Sequence, residues 1–504
     1  MITNLCSIVL VTSCGLSQTV INARTRVDCL DGICLSDHFC TTPGVLNETC
    51  VQNAISSGVH VRVTAGTYTA THTVLIDRSN SLVEFDPGVV WNFEPKGLIS
   101  RANNNDRAFL LHNDEGFSEP HLIAGEIPIG SGSFISANRN DTSNLADGDW
   151  LLVQETDPGL GEIIAIDWVQ VESVASGACG EHCIVRVQRP FRTAFLNNHA
   201  PPTLSFRKIS NYVHDVSLKC NGAVIQSSQT KTGTPGIAVG VVRGALVDGC
   251  VVSMANGQAL YSYRGAAVVF RNNRVIRSGS ATSEFAATVD LSLDGNSFGN
   301  EGPANDNALK NDSSALSIDF GSAFFNVIGN RFISGSDIMM EILYGVHDGV
   351  ISGNVWSWTG TSGLSVGQGV SAIGSQRILF AGNVLDGGSA GVGNTGIAFA
   401  SFHMDGLGSQ PIASEGNLIS NNIVNNYANK YGRLLPGDSY VDLMGENRFS
   451  SLATPANGSI LYCSDCTVVM PASCMNVSNV EACACKGGGS GALAKRINGS
   501  WLCN

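Results

Sequence analysis

Charge is scarce in this chain. Only 14% of its 504 residues are charged, and basic residues are outnumbered by acidic ones, 29 to 42, for a formal net charge of −13. That balance argues against a general affinity for nucleic acid, which needs a basic face. It is mildly unfavourable for polyuronates unless a basic cleft forms locally, and says nothing against neutral or cationic sugars. Beyond the first residues no apolar run is long enough to cross a bilayer. The simple stretch Gly487-Gly-Gly-Ser-Gly491 is no phosphate loop: no strand pattern leads into it and no Lys-Ser/Thr pair follows, so it reads as a turn.

What the chain does have is glycine, 57 residues of it, and a repeated phrase. An apolar residue, two spacers, asparagine, one spacer and another apolar residue recur seven times, anchored on Asn273, Asn296, Asn330, Asn354, Asn383, Asn422 and Asn447. The shortest steps are 23 (273 to 296), 24 (330 to 354) and 25 (422 to 447) residues. A period in that range means stacked supersecondary units. Within a unit the apolar residues alternate, as in Leu316-Ser-Ile318-Asp-Phe320 and Ile338-Met-Met340-Glu-Ile342, which marks strands with one face in a core. Short strands joined by Gly-Asn turns describe one coil of a parallel β-helix, with coils about 4.8 Å apart. The asparagines suit left-handed turns, and their amides suit a hydrogen-bonded ladder. Cys250 stands where Asn would in Val247-Asp-Gly-Cys250, with Cys220 about one coil earlier, a spacing that suits a disulfide between coils.

Sixteen cysteines point to an oxidising compartment, secreted or at the cell surface. Residues 1–17 hold a short apolar run, Ile8-Val-Leu-Val11, that reads as an export signal without the usual basic start. Val11-Thr-Ser-Cys14 also resembles a lipoprotein cleavage box. Removing Cys6 and Cys14 from 16 leaves 14, an even number. Cys29, Cys34, Cys40 and Cys50 cluster early, and Cys179 with Cys183 would close a small loop. Cys463, Cys466, Cys474, Cys483, Cys485 and Cys503 crowd the end. Cys463-Ser-Asp-Cys466 lacks the second knuckle that a zinc site needs, so disulfides are expected there.

The early chain reads as an amphipathic helix over 47–55, a strand Val59–Val63 and a turn Ala65-Gly-Thr-Tyr68. This order resembles the opening of pectate-lyase-like β-helix proteins, in which the helix plugs the open end of the core. The resemblance covers Cys29 to about Phe93 by motif and Val216 to Phe449 by repeat pattern. It implies an all-β, right-handed single-stranded parallel β-helix. It implies no catalytic residue: the paired aspartates, Gly-His-Gly and Arg-x-Lys of polygalacturonases and the Trp-x-Asp-His of many pectate lyases are all missing. The organisation expected is 1–17 signal, 18–124 cap and first coils, 125–195 an inserted antiparallel β subdomain, 196–450 the β-helix, and 451–504 a Cys-rich tail. The inserted segment serves as support or as a wall of a groove, with sugar contact by Trp150 or Trp168 as the alternative.

Chemistry in a β-helix sits on an outer sheet, where side chains of successive coils stack. Glu284 lies 12 residues before Asn296, Asp319 lies 11 before Asn330, and Glu341 lies 13 before Asn354. Their apolar neighbours would point inward, so the three carboxylates point out on consecutive coils. Tyr261, 12 before Asn273, extends the column and suits stacking on a sugar ring. Crowded carboxylates push their pKa values apart, yielding one acid and one base. Glycoside hydrolysis uses that pair, roughly 5–5.5 Å apart for retention and wider for inversion. A solvated acidic face, or a Ca²⁺ site, is the competing reading of the same column; no other cofactor is called for. Arg264, Tyr344, Lys310, His403 and Asp405 are further candidates for substrate contact, the last three on long insertions. Arg331, Arg377 and His347 are available as bases, but their offsets form no single column. The expectation is hydrolysis of a polysaccharide through Glu284, Asp319 and Glu341 by a monomer or homotrimer. The alternatives are a tailspike-like surface protein that holds glycans without cleaving them, and a lyase or epimerase acting on uronates.

Overall fold

The chain winds as a right-handed parallel β-helix, with a closed antiparallel barrel inserted among its early coils and a hairpin added at its end. The computed structural model describes residues 29–94, 107–112, 117–159, 161–175, 182–198, 202–226, 236–253, 258–276, 283–299, 314–333, 338–357, 368–388, 395–400, 414–431, 439–447, 459–467, 485–489, 491–497 and 500–503. The segment 1–17, Cys179, Cys474 and Cys483 lie outside these residues.

Each coil gives one strand to each of three sheets. Among the described residues the first sheet has 15 strands and the other two have 10 each. The first begins with Ile33–Leu35 and His60–Val63, the second with Thr67–Ala70 and Val90–Phe93, the third with Val74–Ile76 and Phe109–Leu111. Strands pair in parallel, coil on coil, so the alternating apolar residues meet their counterparts: Phe270 opposes Leu293, Leu293 opposes Val327, and Val327 opposes Ile351. One apolar core therefore runs from Cys34 to Cys503. Inside the second sheet Phe298, Phe332 and Trp356 stack with centroids 5.3 and 4.8 Å apart, and Trp356 continues the stack onto Phe380 of the first sheet at 5.7 Å. The architecture is the one implied by the pectate-lyase-like opening.

The asparagine ladder lies at the turn from the first sheet to the second. Asn273, Asn296, Asn330, Asn354, Asn383 and Asn422 are buried. The Oδ1 of Asn330 accepts from the backbone N–H of Asn296 at 2.8 Å and from its Nδ2 at 3.0 Å, and the same pair of bonds recurs from Asn273 to Asn422. Cys250 heads the ladder by donating its N–H to Asn273 Oδ1 at 3.0 Å. The left-handed residue of the turn is the one before each ladder asparagine: Asn272, Gly295, Gly329, Gly353, Gly382 and Asn421 all have φ between 53 and 65°. The Gly-Asn phrase thus divides two jobs, one residue for the backbone turn and the next for its hydrogen bonds.

The ends are closed physically. Helix Glu48–Ser57, capped by the Asn47 side chain on Cys50 N, buries Val51, Ala54 and Ile55 over the first coil. At the other end Ala492–Ile497 and Ser500–Cys503 add to the first sheet as antiparallel strands and pair off its edge. Disulfides join Cys29–Cys34, Cys40–Cys50, Cys220–Cys250, Cys463–Cys466 and Cys485–Cys503; the third staples adjacent coils, and the fourth uses both sulfurs of the suspected zinc knuckle.

The inserted barrel comprises His121–Ala124, Ser133–Ser136, Trp150–Thr156, Ile163–Val174, Cys183–Val187 and Leu204–Lys208 around its own apolar core. It docks on the corner where the third sheet turns into the first, through Leu152, Ile163, Ile166 and Trp168 against Val241, Ala266, Ala287 and Val289. Trp168 is buried there, its indole N–H donated to Arg264 O at 3.1 Å, which removes it as a sugar contact. Trp150 is half-buried, stacked on Tyr212 with Arg243 over its ring.

Candidate functional site

The outward face of the third sheet carries the carboxylates. Its strands there are Leu260–Tyr263, Ser283–Ala286, Leu316–Asp319 and Ile338–Leu343, and the buried Phe285, Ile318, Met340 and Ile342 set which side chains face out. Tyr261 opposes Glu284, Glu284 opposes Ser317, and Ser317 opposes Glu341. Asp319 is not in that column. It opposes Ala286 and Leu343, two residues further along the strand, in the next outward column. The single column expected by counting back from each asparagine is thus a zigzag: Glu284 and Glu341 two coils apart, with Asp319 on the coil between and displaced sideways.

Each carboxylate has a specific neighbour. Gln258 Nε2 donates to Glu284 Oε2 at 2.6 Å, and Arg107 Nη2 donates to Gln258 Oε1 at 3.2 Å. Arg107, only 2% exposed, also lies over the Tyr261 ring at 5.1 Å. Ser317 Oγ donates to Asp319 Oδ1 at 2.6 Å, and Ser314 Oγ donates to Glu341 Oε2 at 3.0 Å.

Burial governs the charge state. Asp319 is 5% exposed. Desolvation holds its carboxyl well above the ordinary aspartate range, the charges of Glu284, Glu341 and Glu162 push the same way, and only the Ser317 hydroxyl opposes them. Burial also raises Glu284, against the Gln258 hydrogen bond and the charge of Arg107. Glu162, delivered by the barrel, is raised by burial and by Glu284 and lowered by Arg264.

Aromatic rings flank the carboxylates. Tyr261 and Tyr263 lie side by side on one strand, centroids 6.4 Å apart, and the Arg264 guanidinium covers Tyr263 at 4.6 Å. On the turn beyond the strands, Phe320 and Tyr344 stack at 5.5 Å from consecutive coils. Arg264, Phe320 and Tyr344 all occupy left-handed turn positions, with φ of 62, 53 and 65°. The Tyr344 hydroxyl is raised by burial, then by Asp319 and Glu341.

Tyr261, Arg264, Glu284, Asp319, Glu341 and Tyr344 are therefore brought to one region. Lys310, His403 and Asp405 lie outside the described residues. Arg331 belongs to the second sheet, in Arg331–Ile333. His347 and Arg377 serve a different cluster: the Arg377 guanidinium grips Asp348 through Nε and Nη2, both at 2.8 Å, and His347 Nδ1 meets the same carboxylate at 2.8 Å. Those bonds hold the Asp348 carboxyl far below its usual range, although burial opposes them. Arg107, Gln258 and Glu162 were not found by sequence reasoning. Arg107 precedes the asparagine ladder, Gln258 sits just before its strand, and Glu162 comes from the barrel, so no repeat offset reaches any of them. Among the described residues, ligand atoms of three His, Cys, Asp or Glu residues come within 4.8 Å of one another only around the terminal cysteines and Asp465.

No family model matches the chain, and no curated protein matches it. Solved structures similar to it include the surface adhesin PfbA of Streptococcus pneumoniae, at 10% identity over 93% of this chain and 98% of that one, with a TM-score of 0.49. Another is the gp54 tailspike of Acinetobacter baumannii bacteriophage AP22 in complex with capsular saccharide (12% identity, 82% and 76% coverage, TM-score 0.44). A third is the A-module of the Azotobacter vinelandii mannuronan C-5 epimerase AlgE6 (11%, 81% and 93%, 0.43). At such identities no residue role passes from them to this chain.

Proposed function

We propose that this is an exported, polysaccharide-active β-helix protein that hydrolyses a glycan at the third-sheet face. The observation that carries the reading is Asp319, a buried carboxyl set between two glutamates on adjacent coils, where burial and their charges push its pKa well above the ordinary aspartate range. A carboxyl raised in this way is suited to act as a general acid, and a glutamate one coil away would supply the base. Asp319 lies one coil from each glutamate and two residues further along the strand, roughly 8 Å between backbones at ordinary strand spacings. That suits the wider, inverting geometry, with a water between acid and base, better than the narrow retaining one. Tyr261 and Tyr344 would hold sugar rings at either end, and Arg264 would bind hydroxyls. The described disulfides fit export to an oxidising compartment.

Secreted protein incubated with a panel of neutral and uronic polysaccharides tests this, with reducing ends and the unsaturated-uronate chromophore followed together. Reducing ends alone are expected. Glu284→Gln, Asp319→Asn and Glu341→Gln should each lower the rate by about 10²–10⁴-fold. Unchanged cleavage by the folded triple variant, or unsaturated products, would overturn the hydrolase. The 5% exposure of Asp319 favours one second reading, a surface protein that holds glycans along this face without turnover. Binding with no product on the whole panel would select it.

A further inference from the structure

We propose that the inserted barrel is a working wall of this site and that Glu162, on its lip, faces the carboxylates as a positioning residue for their protons. The inference rests on the reading of that face given above. The barrel strand Ile163–Val174 starts where two consecutive coils turn, at Gly321, two residues after Asp319, and at Gly345, four after Glu341. A Cβ on Gly321 would lie 2.7 Å from Ala165 N, and one on Gly345 would lie 2.2 Å from Ile164 O. Backbone rests on backbone there, with no room for a side chain between them. Glu162, two residues before Ile164, is carried to the same edge.

Independent contacts hold that edge in place. Arg192 forks onto Asp290 with both bonds at 2.7 Å, and Trp168 reaches Arg264 O at 3.1 Å. Support alone needs only these and the apolar interface. It gives no reason to set a glutamate within reach of Glu284 and Asp319, where like charge opposes docking. The groups acting on Glu162 from the facing coils are Glu284, which raises it, and Arg264, which lowers it; Glu162 in turn raises Asp319, together with Glu284 and Glu341. Tyr344, Tyr261, Tyr263 and Arg107 are the other charged and titratable groups on the face. A negative charge on the opposite wall thus helps keep the proton on Asp319, and a glycan lying on the face would pass between the two walls.

The test needs no substrate. Carboxyl ¹³C resonances of Glu284 and Asp319 in the full chain, assigned by their loss in E284Q and D319N, are titrated in wild type and in Glu162→Gln. Both midpoints should fall in E162Q, by on the order of one pH unit. Gly345→Ala, whose added Cβ pushes the barrel edge away, should lower them too, whereas Glu172→Gln, exposed further along the same barrel strand, should leave them unmoved. Midpoints unmoved in E162Q would overturn the proposal whether or not G345A folds. They would leave the carboxylate face as read, since that stands or falls on the products of the triple variant.

Discussion

Asp319 is a residue whose surroundings oppose its own charge, and this has a signed consequence for stability. Its folded-state pKa lies above its unfolded one, so the folded chain holds a proton there that the unfolded chain releases. The resulting penalty is absent below the ordinary aspartate value of about 3.9 and grows as pH rises above it toward the folded value. Asp319→Asn removes the titrating group and keeps Oδ1 as an acceptor for Ser317 Oγ. The variant should therefore melt higher than wild type at neutral pH, with the gain shrinking toward about pH 4. Melting curves across that range check it; a difference independent of pH would mean that Asp319 keeps its charge when buried. A gain in stability paired with a loss of cleavage is what a strained catalytic acid would show. Glu284 and Glu341 were legible in the sequence because they keep the same register with each other. Asp319 was legible only as an outward-facing carboxylate, since Ser317 and Asp319 share one face and counting cannot choose between two residues of equal parity.

At the scale of the element, the asparagine ladder is what makes the turn between the first and second sheets repeat. Asn330 Oδ1 accepts two bonds from Asn296, while its Nδ2 donates to Leu293 O at 2.9 Å and to Asn354 Oδ1 at 3.0 Å. Asn330→Ala orphans buried donors and an acceptor together and should destabilise by about 2–4 kcal/mol. Asn330→Asp should not rescue it, because aspartate keeps the acceptor, loses the donor and buries a charge. Denaturant unfolding of both variants decides this; a neutral aspartate would mean that only the acceptor matters. The ladder was readable from sequence spacing because each asparagine contacts its own counterpart one coil away. The left-handed position was not assigned to the right residue, since Gly-Asn and Asn-Asn pairs leave open which member takes the positive φ.

At the scale of the molecule, two modules with separate cores meet at one corner, and the charged part of that contact is concentrated at Arg192. Its guanidinium binds Asp290, covers the Phe324 ring at 4.2 Å, and its backbone N–H reaches the buried Asp167 carboxylate at 3.0 Å. Arg192→Ala keeps the backbone bond and loses the rest. It should weaken docking by about 1–2 kcal/mol, the sum of one partly screened ion pair and one cation–π contact. Hydrogen exchange around Ile164–Ile166 should then quicken about tenfold while the asparagine ladder keeps its protection. Equal quickening in both places would mean that Arg192 supports the whole chain and not the dock.

The β-helix, its plugged first coil, Cys220 and Cys250 as a suitable pair for a staple, and the outward face on which carboxylates gather were all legible from the order of residues alone. All of these follow from contacts between a residue and its own repeat, where distance along the chain translates directly into position in space. It took the folded arrangement to bring the barrel against that face, to add Glu162, Arg107 and Gln258 to it, and to bury Asp319 so that its pKa is raised. Those depend on contacts between segments that share no period, such as Ile164 against Gly345, and nothing in the spacing of either segment records the other.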